Sequence, residues 1–136
     1  MSQRLDALMH LSTLQAYLQK GVDRRLSLLG ISFSEFHILF YLNGSKTKTL
    51  RRIDLAEHVG LSASGITRAL NPMEKIGLVQ KEANHRDARV SLVKLTPAGE
   101  RVLSEALPAL MSAADDLLAG LNEQEIVTLI AILQKI

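Results

Sequence analysis

Residues 54–99 read DLAEHVGLSASGITRALNPMEKIGLVQKEANHRDARVSLVKLTPAG, and they divide into a helix, a tight turn, a second helix and a hairpin. Gly60 follows Val59 where the first helix must stop, a position at which a left-handed residue is cheapest without a side chain. Ser62 follows as the cap of the second helix, and Ala56 is small where two helices have to cross. In that second helix Ile66, Ala69, Leu70, Met73 and Ile76 recur at three- and four-residue steps and make one apolar stripe. Ser64, Thr67, Arg68, Asn71 and Lys75 recur on the opposite side, which is short, polar and basic, as a DNA major groove requires. Strands are expected at 79–82 and 90–95, joined by the loop ANHRDAR with Asn84 and Asp87 as turn formers and Arg86 and Arg89 projecting. Thr96 then caps a helix that has Pro97 at its first position.

Helices extend on both sides of this stretch. Leu5, Leu8, Leu11, Leu14, Leu18, Val22, Leu26 and Leu29 keep helical spacing, so one long helix is expected up to Gly30. Ser32 with Glu35 is a capping box, and Phe36, Leu39 and Phe40 give the next helix a buried side until Asn43-Gly44. A polar loop at 45–49 leads into the first helix of the pair, expected from about residue 50 to 59. Pro72 and Pro108 are expected to bend their helices or cost each a backbone hydrogen bond. A further helix runs from 98 to about 119, and a last one, capped by Asn122 with Glu125, carries Ile126, Leu129, Ile130, Leu133 and Ile136. The terminal helices hold more apolar surface than one subunit can cover, which points to a two-fold homodimer built from residues 2–29 and 98–136.

Composition narrows the function. The 136 residues suit one domain, and 47% hydrophobic content makes it folded. There is no cysteine, so disulfides, thiolate metal sites and cysteine redox sensing are excluded. The net charge is only +2, but residues 46–101 hold 11 Lys and Arg against 6 Asp and Glu. The ends hold 5 against 8, so positive charge concentrates on the helix pair and hairpin. Tyr17, Phe33, Phe36, Phe40 and Tyr41 all precede the basic segment. Single-strand and RNA binders stack bases on aromatics, so double-stranded DNA is the favoured partner. No signal peptide or membrane-spanning run is legible, giving an expected cytoplasmic location and no membrane partner. Catalysis is not expected. His10, His37, His58 and His85 are scattered, Asp54 and His58 lack a third metal ligand, and no nucleophile elbow or phosphate loop is present.

The combination DLAEHVGLS, the GLV after the second helix and D-A-R…V-K-L-T-P-A-G resembles the MarR family of winged helix-turn-helix regulators. The motifs run from about residue 32 to residue 99, and the flanking helices fit by pattern. The resemblance implies a mostly α (α+β) fold in a single domain, 1–136. In it a winged helix-turn-helix core at 32–96 carries a two-stranded wing and is flanked by dimerisation helices at 2–29 and 98–136. Ser64, Thr67, Arg68 and Asn71 are the candidates for base edges, and Ser62 and Lys75 for phosphates. Arg51 and Arg52 are candidates for backbone contact or for a solvated face. By resemblance Arg89 is the wing arginine of the minor groove, oriented by Asp87, with Arg86 as a second wing contact. The family further implies a repressor on a pseudo-palindromic operator and a small aromatic or anionic effector. His10, Tyr17, Arg24 and His37 are the polar groups able to line its pocket. No cofactor or metal is expected. The alternative is a winged-helix module that binds protein without specific DNA binding, whose recognition side would be apolar or acidic.

Overall fold

The computed structural model describes residues 2–136 and is built from six α-helices and a small antiparallel sheet. Helix α1 spans Gln3–Leu26, its first turn capped by Ser2, whose hydroxyl accepts from Leu5 N at 3.1 Å. The helix was expected to reach Leu29, but the last three residues tighten into a 3₁₀ turn, Ser27–Leu29, before Gly30. Helix α2 spans Phe33–Gly44 and opens with the expected capping box: Ser32 Oγ accepts from Glu35 N at 3.1 Å and Glu35 Oε1 accepts from Ser32 N at 2.9 Å. Asp23 of α1 accepts from Phe33 N at 2.6 Å, which fixes the start of α2 against α1.

Helix α2 is the centre of the fold. Its Phe36, Ile38, Leu39 and Leu42 are buried in one cluster with Leu26, Leu55, Leu70, Val93 and Leu103 of the surrounding elements. This apolar interior is the main source of stability, since each fully buried leucine contributes on the order of 2 kcal/mol.

One expectation is corrected in the segment that follows. The first helix of the pair was to begin at about residue 50, with no strand expected beside the two-stranded wing. Instead Thr49–Arg51 form strand β1, and helix α3 starts at Arg52 and runs to Val59. Lys48 adopts a positive φ of 56° and its carbonyl accepts from Leu95 N at 2.9 Å, which turns the chain onto the sheet. The sheet therefore has three strands in the order β1-β3-β2, with β2 at Val79–Ala83 and β3 at Ser91–Leu95. Val93, buried at the centre, faces Leu50 on one side and Lys81 on the other. The helical reading failed at 49–51 because three residues are too few to display a strand period.

Helix α4, Ala63–Lys75, lies between α3 and β2, and it continues through Pro72 to Lys75 without a break in the element. Helix α5, Pro97–Leu117, likewise runs through Pro108. Thr96 caps α5, accepting from Gly99 N at 3.0 Å, while its own hydroxyl donates to the Gly77 carbonyl. Gly99 is buried where α5 meets the sheet, and a β-carbon there would collide with the Leu78 carbonyl oxygen and lie 2.6 Å from Leu95 Cδ1. Arg25 clips α1 to α5 by an ion pair with Asp116 at 2.6 Å.

Helix α6, Glu123–Leu133, carries the second expected capping box, from Asn122 and Glu125, but buries none of its residues. Ile126 and Leu129 of its stripe are half-buried and Ile130, Leu133 and Ile136 are exposed. Leu5, Leu8, Met9, Leu11 and Leu14 of α1 are exposed as well. Among the described residues no single helix is long and apolar enough to cross a membrane.

Candidate nucleic-acid interface

The turn between α3 and α4 forms as the sequence dictates. Gly60 takes the left-handed conformation, φ 70°, and the Leu61 amide reaches back to the Ala56 carbonyl at 2.9 Å. Ala56 is buried at the crossing, and Ser62 Oγ caps α4 by accepting from Gly65 N at 3.1 Å. Ile66, Leu70 and Met73 are buried and hold α4 against the core. Ile76 departs from the expected stripe: it is 61% exposed. The helix has ended one residue earlier, and the turn through Gly77, φ 80°, carries the chain away before Ile76 reaches the core.

The opposite face of α4 points to solvent. Ser64, Arg68, Asn71 and Lys75 are exposed and Thr67 is half-exposed. The Arg68 and Lys75 side chains have no hydrogen-bond or ion-pair partner among the described residues, so both charges are available to an external anion. Thr67 is held: its hydroxyl donates to the Ala63 carbonyl at 3.0 Å and accepts from Arg52 Nη1 at 3.2 Å. Asn71 is held as well, its Oδ1 accepting from Lys81 Nζ of β2 at 3.2 Å. Ser62 and Ser64 hydroxyls lie 3.3 Å apart at the start of the helix, where free backbone donors and the helix dipole favour an anion.

The loop between β2 and β3 is ordered by its two turn formers. Asn84 Oδ1 accepts from Arg86 N at 2.9 Å, and Asp87 Oδ1 accepts from Arg89 N at 3.0 Å. Asp87 also grips the Arg89 side chain, through Nε at 3.1 Å and Nη2 at 3.3 Å. The Arg89 guanidinium, then the Arg89 amide, hold the Asp87 carboxyl below the usual carboxylate range. Arg89 is 90% exposed, so the pair presents a guanidinium at the tip of the wing. Arg86 is exposed beside it with an unpartnered side chain among the described residues. Arg51 is engaged differently: its guanidinium grips Asp54 at 2.7 and 3.0 Å, which raises its own pKa and lowers that of Asp54.

The MarR family model matches residues 31–91, the segment that holds α2, β1, the helix pair and the first half of the hairpin. Over that segment the chain is similar to the MarR family. Among solved structures it is similar over its whole length to the transcriptional regulator BldR from Sulfolobus solfataricus, at 27% identity, covering 100% of both chains with a TM-score of 0.86. It is also similar to a mutant of Escherichia coli MarR complexed with operator DNA, at 23% identity over 98% of this chain and 93% of that one, TM-score 0.84. Sco3205, a MarR family transcriptional regulator from Streptomyces coelicolor solved in complex with DNA, matches at 24% identity over 98% and 86%, TM-score 0.86. The chain therefore has a mostly α winged-helix fold with helices on both flanks, as its motifs implied.

Two side chains organise this face in a way not expected from the sequence. Lys81 is one, and alternation along β2 carried the signal, because Lys81 shares the face of buried Val79 and so points toward α4. Arg52, assigned only as a backbone contact or a solvated group, instead ties α3 to Thr67. The four residues considered for an effector pocket do not converge. Tyr17 and Arg24 line one cavity of about 360 Å³ with Lys20, Arg25 and Asp116. His10 instead bonds the Asp6 carbonyl, and His37 bonds the Phe33 carbonyl and stacks toward Tyr41.

Proposed function

We propose that this chain is a MarR-family, homodimeric, sequence-specific regulator of transcription that binds a pseudo-palindromic site in double-stranded DNA and acts as a repressor. The observation that carries the reading is the conjunction of two features. An outward α4 face offers Arg68 and Lys75, unpaired among the described residues, beside Ser64, Thr67 and Asn71, and an ordered wing offers Arg89 gripped by Asp87 with Arg86 alongside. In this reading α4 enters a major groove, Ser64, Thr67, Arg68 and Asn71 meet base edges, and Ser62 and Lys75 meet phosphates. Arg89 enters the neighbouring minor groove, where a narrow A·T-rich stretch concentrates negative potential. The E. coli MarR and Sco3205 complexes with DNA support the assignment. The rival role, docking of a protein partner, is disfavoured by the positive charge of the surface.

Dimerisation follows from the exposed apolar side of α1 and from α6, none of whose residues is fully buried within its own subunit. Residues 2–29 and 98–136 are assigned to that interface and 32–96 to the DNA-binding core. A small aromatic or anionic molecule is proposed to release the DNA, and the cavity beside Tyr17, Lys20 and Arg24 offers cations and a ring for it. Selecting binding sites from random-sequence duplexes tests the whole. Recovery of an inverted repeat supports it, and recovery of no preferred sequence rejects it.

A further inference from the structure

We propose that Thr67 reads a thymine through its methyl group, with Arg52 as the positioning residue that turns its hydroxyl away. The inference rests on the duplex-binding reading above and sharpens it to one contact. A threonine hydroxyl has one hydrogen to donate. In this structure that hydrogen is committed to the Ala63 carbonyl one turn back, at 3.0 Å. The oxygen also accepts from Arg52 Nη1 at 3.2 Å. Thr67 therefore has no donor left for the acceptor atoms N7, O6 and O4 that line a major groove. Its Oγ1 faces its own helix and α3, and Cγ2 is the terminus left over. A side-chain methyl is complementary to the C5-methyl of thymine, a group no other DNA base carries.

Arg52 completes the device. It is half-buried at the first turn of α3, and its guanidinium crosses to α4 rather than extending to solvent. Its charge thus lies beside the reading face while its geometry is set from within the protein.

The test uses the full-length protein and a duplex it selects from a random-sequence pool, with each thymine replaced in turn by deoxyuridine. One position per half-site is expected to weaken binding by about fourfold, the effect of one buried methyl. Thr67→Val keeps the methyl and the β-branch, and is expected to keep the same deoxyuridine penalty relative to its own affinity for the thymine duplex. Thr67→Ser keeps the hydroxyl, and is expected to lose about fourfold on thymine and to be indifferent to deoxyuridine at that position. Circular dichroism confirms that both variants are folded. If Thr67→Ser keeps the thymine preference and Thr67→Val loses it, the hydroxyl reads the base and the proposal is wrong. Specific binding by wild type with no deoxyuridine penalty anywhere rejects this inference and leaves duplex recognition standing. Absence of any sequence-specific binding by wild type removes both.

Discussion

Lys81 Nζ on β2 donates to Oδ1 of Asn71 on α4 at 3.2 Å, so the wing and the helix it flanks meet through a polar clasp as well as through apolar packing. Glu74 lies 3.8 Å from the same ammonium and helps to place it. The clasp fixes which end of the Asn71 amide faces outward, and that end is the one with two donors. Removing the ammonium while keeping the stem, Lys81→Met, is expected to release the amide and weaken binding to a selected duplex about fivefold, the worth of one hydrogen bond of about 1 kcal/mol. The loss is expected at a single base position, which competition with singly altered duplexes measures. An equal loss across all duplexes would assign Lys81 to phosphate contact.

Arg89 carries a second prediction. Arg89→Ala is expected to weaken duplex binding by about 1–3 kcal/mol while leaving the oligomer intact. Gel shifts at fixed salt measure the first and sedimentation the second. Unchanged affinity would remove the wing from the interface.

The grip of Asp87 on Arg89 gives a pH dependence with a definite sign. The carboxyl is held below the usual range, chiefly by the Arg89 guanidinium. Pairing is therefore complete above the unfolded carboxylate value of about 3.9 and is lost as pH falls through the lower folded value. The Arg89 Nε–H resonance is expected to stay constant from about pH 7 to about pH 5 and to move only below about pH 4. In Asp87→Asn the same resonance is expected not to titrate. Movement above pH 5 in the wild type would mean that another group controls the wing.

Gly99 sets the seating of α5 on the sheet, because a β-carbon there meets the Leu78 carbonyl and Leu95. Gly99→Ala is expected to lower stability by about 1–3 kcal/mol through overpacking. Gly120 has open space around its α-carbon, so Gly120→Ala is expected to be neutral or to stabilise by about 0.4–1 kcal/mol. Thermal melts of the two variants compare them directly, and equal melts would contradict the packing at Gly99.

The terminal helices predict an obligate assembly. Leu8 is 60% exposed and Ile130 51% exposed in the single chain. Leu8→Glu and Ile130→Glu are each expected to shift the protein toward monomer in sedimentation experiments. The wild-type melting point is expected to rise with protein concentration. A melting point independent of concentration would place these helices on one subunit alone.

Much of this architecture is legible in the residues themselves. Both capping boxes and the Gly60 turn form where serine, asparagine, glutamate and glycine demand, since these signals act over three or four residues and need no tertiary partner. The α4 stripe is legible for the same reason until Ile76, where the turn at Gly77 overrides the period. Strand β1 is not legible, because three residues gain their conformation from pairing with Ser91–Leu95, some forty positions away. The binding face shows the same division. Its exposed charges at Arg68, Lys75 and Arg89 follow from local pattern and turn chemistry. The tethers Arg52–Thr67 and Lys81–Asn71 join separate elements and emerge only when the chain is folded.

Hydroxyl-radical footprinting of the full-length protein on a selected duplex tests the central claim most directly. Two recognition helices about 34–36 Å apart and two wings predict a two-fold symmetric footprint. It should show a protected stretch of backbone in each half-site, with flanking minor-groove protection that disappears in Arg89→Ala. A single unsymmetric footprint, or flanking protection that survives Arg89→Ala, would contradict the account.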